Sequence, residues 1–218
     1  MAKAVKKKTF DARQYMELAI EEMNKSKNEP RPDGKVPPKV EAILLFPDGR
    51  VEKAHRGQLR EGDHAEYTLI ERLMQKEKLD ECILFTTLEP CVERNSPKVP
   101  CCRRTTNARI KTVYVGIADP DPTVDGKGIK HLEKHGANVI MFDRDLQKII
   151  ESKNKKFIEQ AIERKNKVEE EVIEMIPLEL PVVTASFEEF STEALQKFIN
   201  EAKLKYRIED PVFQTYLS

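Results

Sequence analysis

The chain contains 218 residues, which is enough for one well-packed domain and an additional segment. Hydrophobic residues make up 39% and charged residues 35%, so the chain is polar but has enough apolar residues to fold, and disorder over its whole length is excluded. Lys and Arg together number 38, as do Asp and Glu, so a net charge of zero does not indicate a nucleic acid or an anionic membrane as partner.

The N-terminal residues 1–10 are basic, and we interpret them as a solvated tail. No apolar run reaches the roughly 20 residues that a membrane helix requires, and no apolar segment follows the N-terminal lysines as it does in a secretory signal. We therefore expect a cytoplasmic protein with reduced thiols and no membrane partner. Its cysteines are then metal ligands or core residues rather than a disulfide framework. They are Cys82, Cys91, Cys101 and Cys102.

The first half of the chain alternates helical and extended patterns. Apolar residues recur at helical spacing over residues 11–25, and a proline-rich loop follows over residues 28–38. A turn at residues 47–49 then joins two strands in a hairpin, because proline presets φ and glycine accepts a positive φ. Helical spacing returns over residues 64–76, and residues 82–87 are typical of a strand.

The second half continues this alternation. The pattern predicts a short helix over residues 101–108, a strand over 111–117, a helix over 128–135 and a strand over 137–142. The order α-β-β-α-β-α-β-α-β indicates a sheet with helices on both faces. We therefore predict an α/β fold, a three-layer α/β/α sandwich around a five-stranded mixed sheet with additional C-terminal helices. Its last two strands are parallel, since a helix joins them.

After residue 142 the sequence becomes helical and increasingly charged. Apolar residues from Leu146 to Ile162 mark one face of a long helix, which the charged residues that follow extend. A capping-box pattern at Ser186 begins a second helix near residues 193–203. The predicted domains are a basic tail over 1–10, a main domain over 11–150, a charged helix extension over 151–175, and a linker and helical segment over 176–218 that is a candidate start of a further domain.

The residues that indicate chemistry are the motif H-A-E at residues 64–66 and two Pro-Cys pairs ending at Cys91 and Cys101. One imidazole and two thiolates suit Zn²⁺, and three protein ligands leave one position of a catalytic site for water. A ligand at the N-terminus of a helix benefits further, because the helix dipole favours thiolate over thiol. Glu66 is placed to approach that water without binding the metal. The sequence thus predicts one Zn²⁺ per chain, held by His64, Cys91 and Cys101, with Glu66 as the catalytic acid/base.

The choice of cysteine ligands has an alternative. Cys102 competes with Cys101 as the third ligand, and we favour Cys101 because a proline precedes it, as one precedes Cys91. Cys82 lies within a predicted strand and is interpreted as a core residue. Each proposed site residue also has an interpretation that involves no chemistry. His64 can be a residue that starts a helix, Glu66 an acid in the first turn of that helix, and the cysteines small buried hydrophobic residues. Those interpretations leave the grouping of the residues unexplained.

The order H-x-E, P-C, C matches that of zinc deaminases, in which the glutamate moves protons and does not bind the metal. Water attacks a ring carbon that carries an amino group. Glu66 takes the protons of the water in turn and delivers one to the ring nitrogen and then one to the leaving amine, and ammonia departs.

These motifs, with T-L-E-P-C at residues 87–91 and I-A-D-P-D-P-T-V-D-G-K-G at residues 117–128, resemble the deaminase domain of riboflavin-biosynthesis (diaminohydroxyphosphoribosylaminopyrimidine) deaminases. That domain belongs to the cytidine deaminase-like superfamily, and the resemblance runs from about residue 11 to residue 142. It implies the same zinc ligands, the proton-shuttle role of Glu66, the α/β/α fold and self-association. It also accounts for the spacing of the two cysteines, which a longer loop separates in that branch than in cytidine or tRNA deaminases.

Two departures from the family pattern indicate an altered substrate pocket. The family has an Asn-Pro-x-Val-Gly segment on the first strand, whose Asn helps to hold the sugar of the substrate, whereas residues 37–41 here are P-P-K-V-E. The loop between the cysteines lacks the His-x-Gly-Arg-Thr run of the family. We therefore expect a pyrimidine-type substrate in a changed pocket. The predicted substrate contacts are Ala65, Arg94, Asn95, Asp119 and Asp121.

Three functions remain open from the sequence. The favoured one is a zinc-dependent hydrolytic deaminase of a small pyrimidine-type base, nucleoside or nucleotide, acting as a homo-oligomer. The second is the same chemistry on cytosine or adenine in single-stranded nucleic acid, which the zero net charge, the lack of Trp and the 6% aromatic content disfavour. The third is a non-catalytic interaction module with structural zinc, which Glu66 disfavours because a closed site has no use for a carboxylate beside the metal.

Overall fold

The computed structural model describes residues 10–94, 97–121 and 124–175, together with Lys197 and Asn200. The chain divides into two compact units, residues 1–166 and 167–218, and the first of them carries the sheet and the candidate site. The basic tail over residues 1–9, the predicted linker, the capping box at Ser186 and the C-terminal tail lie outside the described residues.

The helices and strands follow the predicted order. They are α1 (Ala12–Met23), β1 (Glu41–Leu45), β2 (Val51–His55), α2 (Ala65–Tyr67), which continues as the π-helix π1 (Thr68–Leu73), β3 (Ile83–Leu88), α3 (Cys101–Asn107), β4 (Thr112–Ile117), α4 (Lys127–Lys134), β5 (Asn138–Met141), α5 (Arg144–Lys153) and α6 (Lys155–Met175). Among these described helices, none combines the length and the apolar character that crossing a membrane requires.

The five strands form one mixed sheet in the order β2-β1-β3-β4-β5. β1 is antiparallel to both of its neighbours, whereas β3, β4 and β5 run parallel, as predicted for the last two strands. The hairpin turn between β1 and β2 is also confirmed, with Gly49 at a φ of 90°. Because β1 runs against β3, the first residue of β1 and the last residues of β3 and β4 lie at the same edge of the sheet.

Helices cover both faces of this sheet. α1 packs on β1 and β3, and α5 packs on β4 and α1, while α2, α3 and α4 contact one another on the opposite side. The α1 side contains an aromatic cluster, in which the ring of Phe85 stacks on Tyr114 with centroids 4.6 Å apart and lies 5.4 Å from the ring of Tyr15. Burial of such rings dominates core energetics and fixes α1 against the sheet. The predicted three-layer α/β/α sandwich is confirmed.

The helix predicted over residues 64–76 differs in its second half. After one α-helical turn, the amide of Met74 donates to the carbonyl of Leu69, five residues earlier, so the turn is wider than that of an α-helix. The helix ends at Leu73. Hydrophobic spacing does not distinguish the two kinds of turn over so short a segment.

The prediction of one continuous helix after residue 142 is wrong, because Asn154 separates α5 from α6. The buried side chain of Asn154 accepts a hydrogen bond from the amide of Lys39 over 2.7 Å and donates one to the carbonyl of Lys39 over 3.2 Å. These bonds to a distant segment compete with regular helical geometry.

Candidate functional site

The three predicted metal ligands meet at the edge of the sheet where β3 ends. His64 is the N-cap residue of α2, Cys91 follows the end of β3, and Cys101 is the first residue of α3. Nδ1 of His64 lies 3.6 Å from Sγ of Cys91 and 3.5 Å from Sγ of Cys101, and all three donor atoms lie within 4.8 Å of one another. The fold therefore brings these residues together from three separate segments.

The separations between the donor atoms fit a tetrahedral zinc ion. With bonds of about 2.3 Å to sulfur and about 2.1 Å to nitrogen, two such ligand atoms on a tetrahedron lie roughly 3.6 Å apart. Imidazole and thiolate are also the donor types that zinc prefers. Within the described part of the chain, no fourth His, Cys, Asp or Glu joins the cluster. The residues thus fit a zinc site with three protein ligands.

The two sulfur atoms of the cluster differ in protonation. A hydrogen bond from the Cys101 thiol lowers the pKa of Cys91 to about 4, and His64 acts in the same direction. The amide of Cys101, at the N-terminus of α3, also donates to the Cys91 sulfur over 3.4 Å. The neighbouring Cys91 sulfur raises the pKa of Cys101 well above its usual value, and burial adds to this effect. The two shifts favour a thiolate on Cys91 over one on Cys101, and a divalent cation bound to both sulfurs would allow both groups to ionise.

The other two cysteines lie in the core. Cys82 and Cys102 are almost completely buried, and burial raises the pKa of each thiol to about 11. Neither sulfur belongs to the cluster of donor atoms. The geometry therefore supports Cys101 over Cys102, as the repeated Pro-Cys pattern predicts.

Glu66 lies beside the cluster with only 2% of its surface exposed. Burial raises the pKa of Glu66, and the charge of Cys91 raises it further, while His64 opposes the change. Its Oε2 has no hydrogen-bond partner among the described residues. A buried carboxyl with a raised pKa and an unengaged oxygen is suited to accepting a proton and returning it.

Glu66 and the ligands His64 and Cys91 line a cavity of about 200 Å³. Its walls come from the pre-β1 segment (residues 34–40), the described part of the β4–α4 loop (residues 118–121 and 124–126) and the first part of α6. The sequence predicts Asp119 and Asp121 at such a site, and both line the cavity. Other lining residues carry no prediction from the sequence, namely Arg31, Arg56, Glu89 and Phe157.

Of the other predicted substrate contacts, Ala65 and Arg94 are described and do not line this cavity. Arg94 lines a neighbouring surface cavity together with Arg103. Ala65 is completely buried and packs in the hydrophobic core, and its predicted contact with the substrate stays a prediction. Asn95 lies outside the described residues.

Asp119 and Asp121 form the polar edge of the cavity. Burial raises the pKa of Asp119 to about 7, and its carboxyl accepts a hydrogen bond from the amide of Asp121 over 2.9 Å. The carboxylate of Asp121 accepts one from Arg164 of α6 over 2.7 Å. Asp119 can therefore donate or accept a hydrogen bond toward a ligand near neutral pH.

Glu89, within the motif T-L-E-P-C, holds the β4–α4 loop and the start of α4. Its buried carboxylate accepts hydrogen bonds from four backbone amides, at distances of 3.0, 2.9, 2.6 and 3.1 Å. The donors are the amides of Asp119, Gly126, Gly128 and Ile129. A side chain at Gly128 would overlap the carbonyl oxygen of Pro90, so the second glycine of D-G-K-G permits this close approach. That glycine pair is the signal in the sequence for such a contact.

Comparison with known proteins agrees with this arrangement. Residues 10–117 match the family described as the cytidine and deoxycytidylate deaminase zinc-binding region. The diaminohydroxyphosphoribosylamino-pyrimidine deaminase of Schizosaccharomyces pombe is 33% identical over 101 residues, which cover 44% of this chain and 25% of that protein. The riboflavin biosynthesis protein RibD of Bacillus amyloliquefaciens is 32% identical over 125 residues, which cover 57% of this chain and 32% of that protein. The chain thus matches a quarter to a third of the length of these two curated relatives.

Solved structures give the same result. The diaminohydroxyphosphoribosylaminopyrimidine deaminase/5-amino-6-(5-phosphoribosylamino)uracil reductase of Thermotoga maritima superposes with a TM-score of 0.59 at 28% identity, over 70% of this chain and 41% of that one. The Aspergillus oryzae Rib2 deaminase, a C-terminal deletion mutant, has a TM-score of 0.53 at 19% identity, over 72% and 96% of the two chains, and this likeness concerns the fold alone. The resemblance inferred from the sequence motifs is confirmed.

Proposed function

Since residues 10–117 match the family described as the cytidine and deoxycytidylate deaminase zinc-binding region, we propose that this chain belongs to that family and is a zinc-dependent hydrolytic deaminase of a pyrimidine-type base, nucleoside or nucleotide. The reaction replaces a ring amino group with oxygen and releases ammonia. One observation carries the proposal: the buried carboxyl of Glu66, with one oxygen unengaged, lies in the same cavity as the His64 and Cys91 ligands. The names of the relatives support a riboflavin-pathway type of substrate.

His64, Cys91 and Cys101 are the proposed ligands of one Zn²⁺ per chain. Bound there, Zn²⁺ supplies a Lewis acid that ionises water at neutral pH. The set of three ligands supports a catalytic site, because structural zinc sites usually close with a fourth protein ligand.

Glu66 is the proposed general acid/base. Its Oε2 accepts a proton from the attacking water, and the resulting acid donates that proton to the ring nitrogen. The same carboxylate then takes the second proton, from the hydroxyl group that the ring carbon has gained, and delivers it to the leaving amine, so that the carbon–nitrogen bond breaks and ammonia departs. Burial prepares Glu66 for both steps, because its raised pKa brings the protonated and ionised forms closer in free energy.

Asp119 and Asp121 are the proposed contacts for the polar groups of the substrate. Both line the cavity beside Glu66, and carboxyl groups suit hydroxyl and amino groups better than they suit phosphate. The cavity of about 200 Å³ accommodates a small ring. We therefore place the ring and its amino group inside, with any phosphate outside the cavity. Self-association and a cytoplasmic location belong to the same proposal, and sedimentation of the purified protein tests the former.

A substrate panel read out by ammonia release tests the function. It contains cytosine, cytidine, dCMP, the diaminopyrimidine ribotide, guanine, and single-stranded DNA and RNA. Glu66→Gln should retain zinc and lose a hundredfold or more of the activity, on the order expected for a general acid/base. The matched control is Glu61→Gln, which alters an exposed carboxylate in the loop before α2 and should leave the activity unchanged.

Each result of the panel has a distinct meaning. Turnover by Glu66→Gln at the rate of the unmodified protein would exclude the proposed proton shuttle. Turnover of oligonucleotides alone would favour deamination of nucleic acid, and bound zinc with no ammonia from any compound would favour an interaction module.

A further inference from the structure

The first part of α6, residues 155–166, contacts two different walls of the cavity. The family match ends at residue 117, so it assigns no role to this helix. Phe157 lines the cavity and is almost completely buried, and Ala161, one turn later, is completely buried. Gln160 and Arg164 lie at the same helical spacing, so these side chains share one side of α6.

One set of contacts fixes the pre-β1 segment. The side chain of Gln160 accepts a hydrogen bond from the amide of Val36 over 2.8 Å and donates one to the carbonyl of Gly34 over 3.3 Å. Just before α6, Asn154 binds the amide and the carbonyl of Lys39. Pro38 and Val40 of this segment line the cavity. They flank Lys39, which Asn154 binds, so α6 and the residue before it fix this wall.

A second set of contacts fixes the β4–α4 loop. Nη2 of Arg164 donates to Oδ2 of Asp121 over 2.7 Å, and the two side chains are only 28% and 21% exposed. Lys165 pairs with Asp125 over 3.2 Å in a more exposed position. Partial burial makes the Arg164 pair the stronger of the two, because water screens it less. Asp121 itself lines the cavity, so this ion pair acts directly on the wall of the site.

We propose that residues 155–166 of α6 set the separation of the two cavity walls, with Gln160 and Arg164 as positioning residues. A helix is stiff along its axis, so anchors on one side of it keep the two walls at a fixed distance. Arg164 acts through Asp121, whose carboxylate it orients at the edge of the cavity. The expected effect of Gln160 and Arg164 on substrate affinity rests on the proposed function. Their expected effect on the rigidity of the two walls does not depend on it.

Hydrogen–deuterium exchange of the zinc-loaded protein without substrate tests the positioning. Arg164→Met should increase exchange about tenfold in residues 124–129, and Gln160→Met should do so in residues 34–39, because each removes one of the contacts by which α6 holds that wall. The matched control is Lys155→Met, which removes an exposed ion pair internal to α6 and should change neither segment. Exchange in Arg164→Met and Gln160→Met equal to that in Lys155→Met would overturn the proposal.

Steady-state kinetics on the best compound of the panel tests the effect on affinity. Arg164→Met should raise KM about tenfold with kcat changed less than threefold, and Arg164→Lys should restore most of the affinity, since it keeps the charge. In an Asp121→Asn background, Arg164→Met should have little further effect on KM, because the two residues act as one unit. A loss confined to kcat, or full additivity of the two changes, would contradict the role of Arg164. If no compound is deaminated, the proposed function fails, and the exchange measurement alone decides the positioning.

Discussion

The amide of Gly128 donates a hydrogen bond to Oε1 of Glu89 over 2.6 Å, and the backbone carbonyl of the adjacent Pro90 lies too close for a side chain at position 128. This contact joins the start of α4 to the end of β3. It therefore sets where the β4–α4 loop runs and how Asp119 faces the cavity.

We expect Gly128→Ala to destabilise the fold by about 2–4 kcal/mol, because the added methyl group meets the rigid backbone of Pro90. The comparison variant is Gly49→Ala in the hairpin turn, where no atom lies within 4 Å of the added group and only the positive φ is unfavourable. That variant should cost about 1 kcal/mol. Urea denaturation measures both, and equal losses would show that the close approach to Pro90 is not the cause.

Glu89→Gln should remove the negative acceptor that four amides share, and place an N–H₂ group against some of them. Hydrogen bonds to a charged acceptor contribute about 1.5–3 kcal/mol each, so we expect a loss of about 3 kcal/mol after relaxation of the loop. Glu93→Gln, at an exposed position of the next loop, is the control and should have no measurable effect. Thermal unfolding of the two variants compares them, and equal melting temperatures would contradict the role of Glu89.

Glu22 should make the stability of the protein sensitive to acid. Burial acts to raise the pKa of Glu22, but hydrogen bonds from Lys25, His55 and Lys53 outweigh it and lower the pKa to about 2. The ionised form is thus stabilised in the folded state, and its contribution is present above the unfolded pKa of 4.5 and lost as pH falls from there toward 2. The contribution is at most about 3 kcal/mol.

Chemical denaturation of Glu22→Gln at pH 3 and pH 6 checks this expectation. The unmodified protein should lose more stability between these pH values than the variant does. Glu21→Gln changes the adjacent, exposed residue of α1 and should keep the acid sensitivity of the unmodified protein. A parallel loss in all three proteins would rule out Glu22 as its source.

Glu41 should have the opposite pH dependence. It is completely buried, and neither carboxyl oxygen has a hydrogen-bond partner among the described residues. Burial raises the pKa of Glu41 well above its usual value of 4.5, and the charges of Glu66 and Glu22 raise it further. The folded protein therefore retains a proton that the unfolded chain releases, so this residue lowers stability as pH rises above 4.5.

Glu41→Gln imitates the protonated acid and removes this dependence. At pH 4 the variant and the unmodified protein should be about equally stable, whereas at pH 8 the variant should be the more stable of the two. Denaturation at both pH values measures the difference. A variant that is less stable at pH 8 would show that Glu41 is ionised and stabilised in the fold.

Metal analysis of cysteine variants should separate ligands from core residues. The unmodified protein should contain one zinc per chain, and Cys101→Ala should lose it, because Sγ of Cys101 lies 3.5 Å from Nδ1 of His64. Cys102→Ala should retain zinc although it leaves a small cavity in the core. Loss of zinc from Cys102→Ala in a folded protein would reverse the assignment of the third ligand.

Local patterns in the sequence were sufficient for the order of elements and for the three residues that the fold brings together as candidate metal ligands. Periodicity of 2 or 3.6 residues depends on neighbours along the chain, and the motifs around His64, Cys91 and Cys101 carry their own spacing. The break at Asn154 could not be predicted, because the backbone groups that Asn154 binds belong to Lys39, far away in the sequence.

The contacts of α6 with the cavity walls were not predictable for the same reason. Arg164 lies within a run of charged residues that is typical of a solvated helix, and its partner Asp121 belongs to a different element. Ala65 is the opposite case, a residue that its sequence neighbours His64 and Glu66 bring to attention. Its side chain lies in the core, because successive positions of a helix point in different directions.

The cluster of His64, Cys91 and Cys101 also bears on how the polypeptide reaches its native state. His64 precedes β3 in the sequence, and both cysteines follow it. A bound ion would therefore cross-link the segments before and after this central strand. Ion capture then contributes to folding free energy as well as to chemistry. In a cell starved of zinc, we therefore expect a smaller amount of folded protein, and not only a lower activity of an unchanged amount.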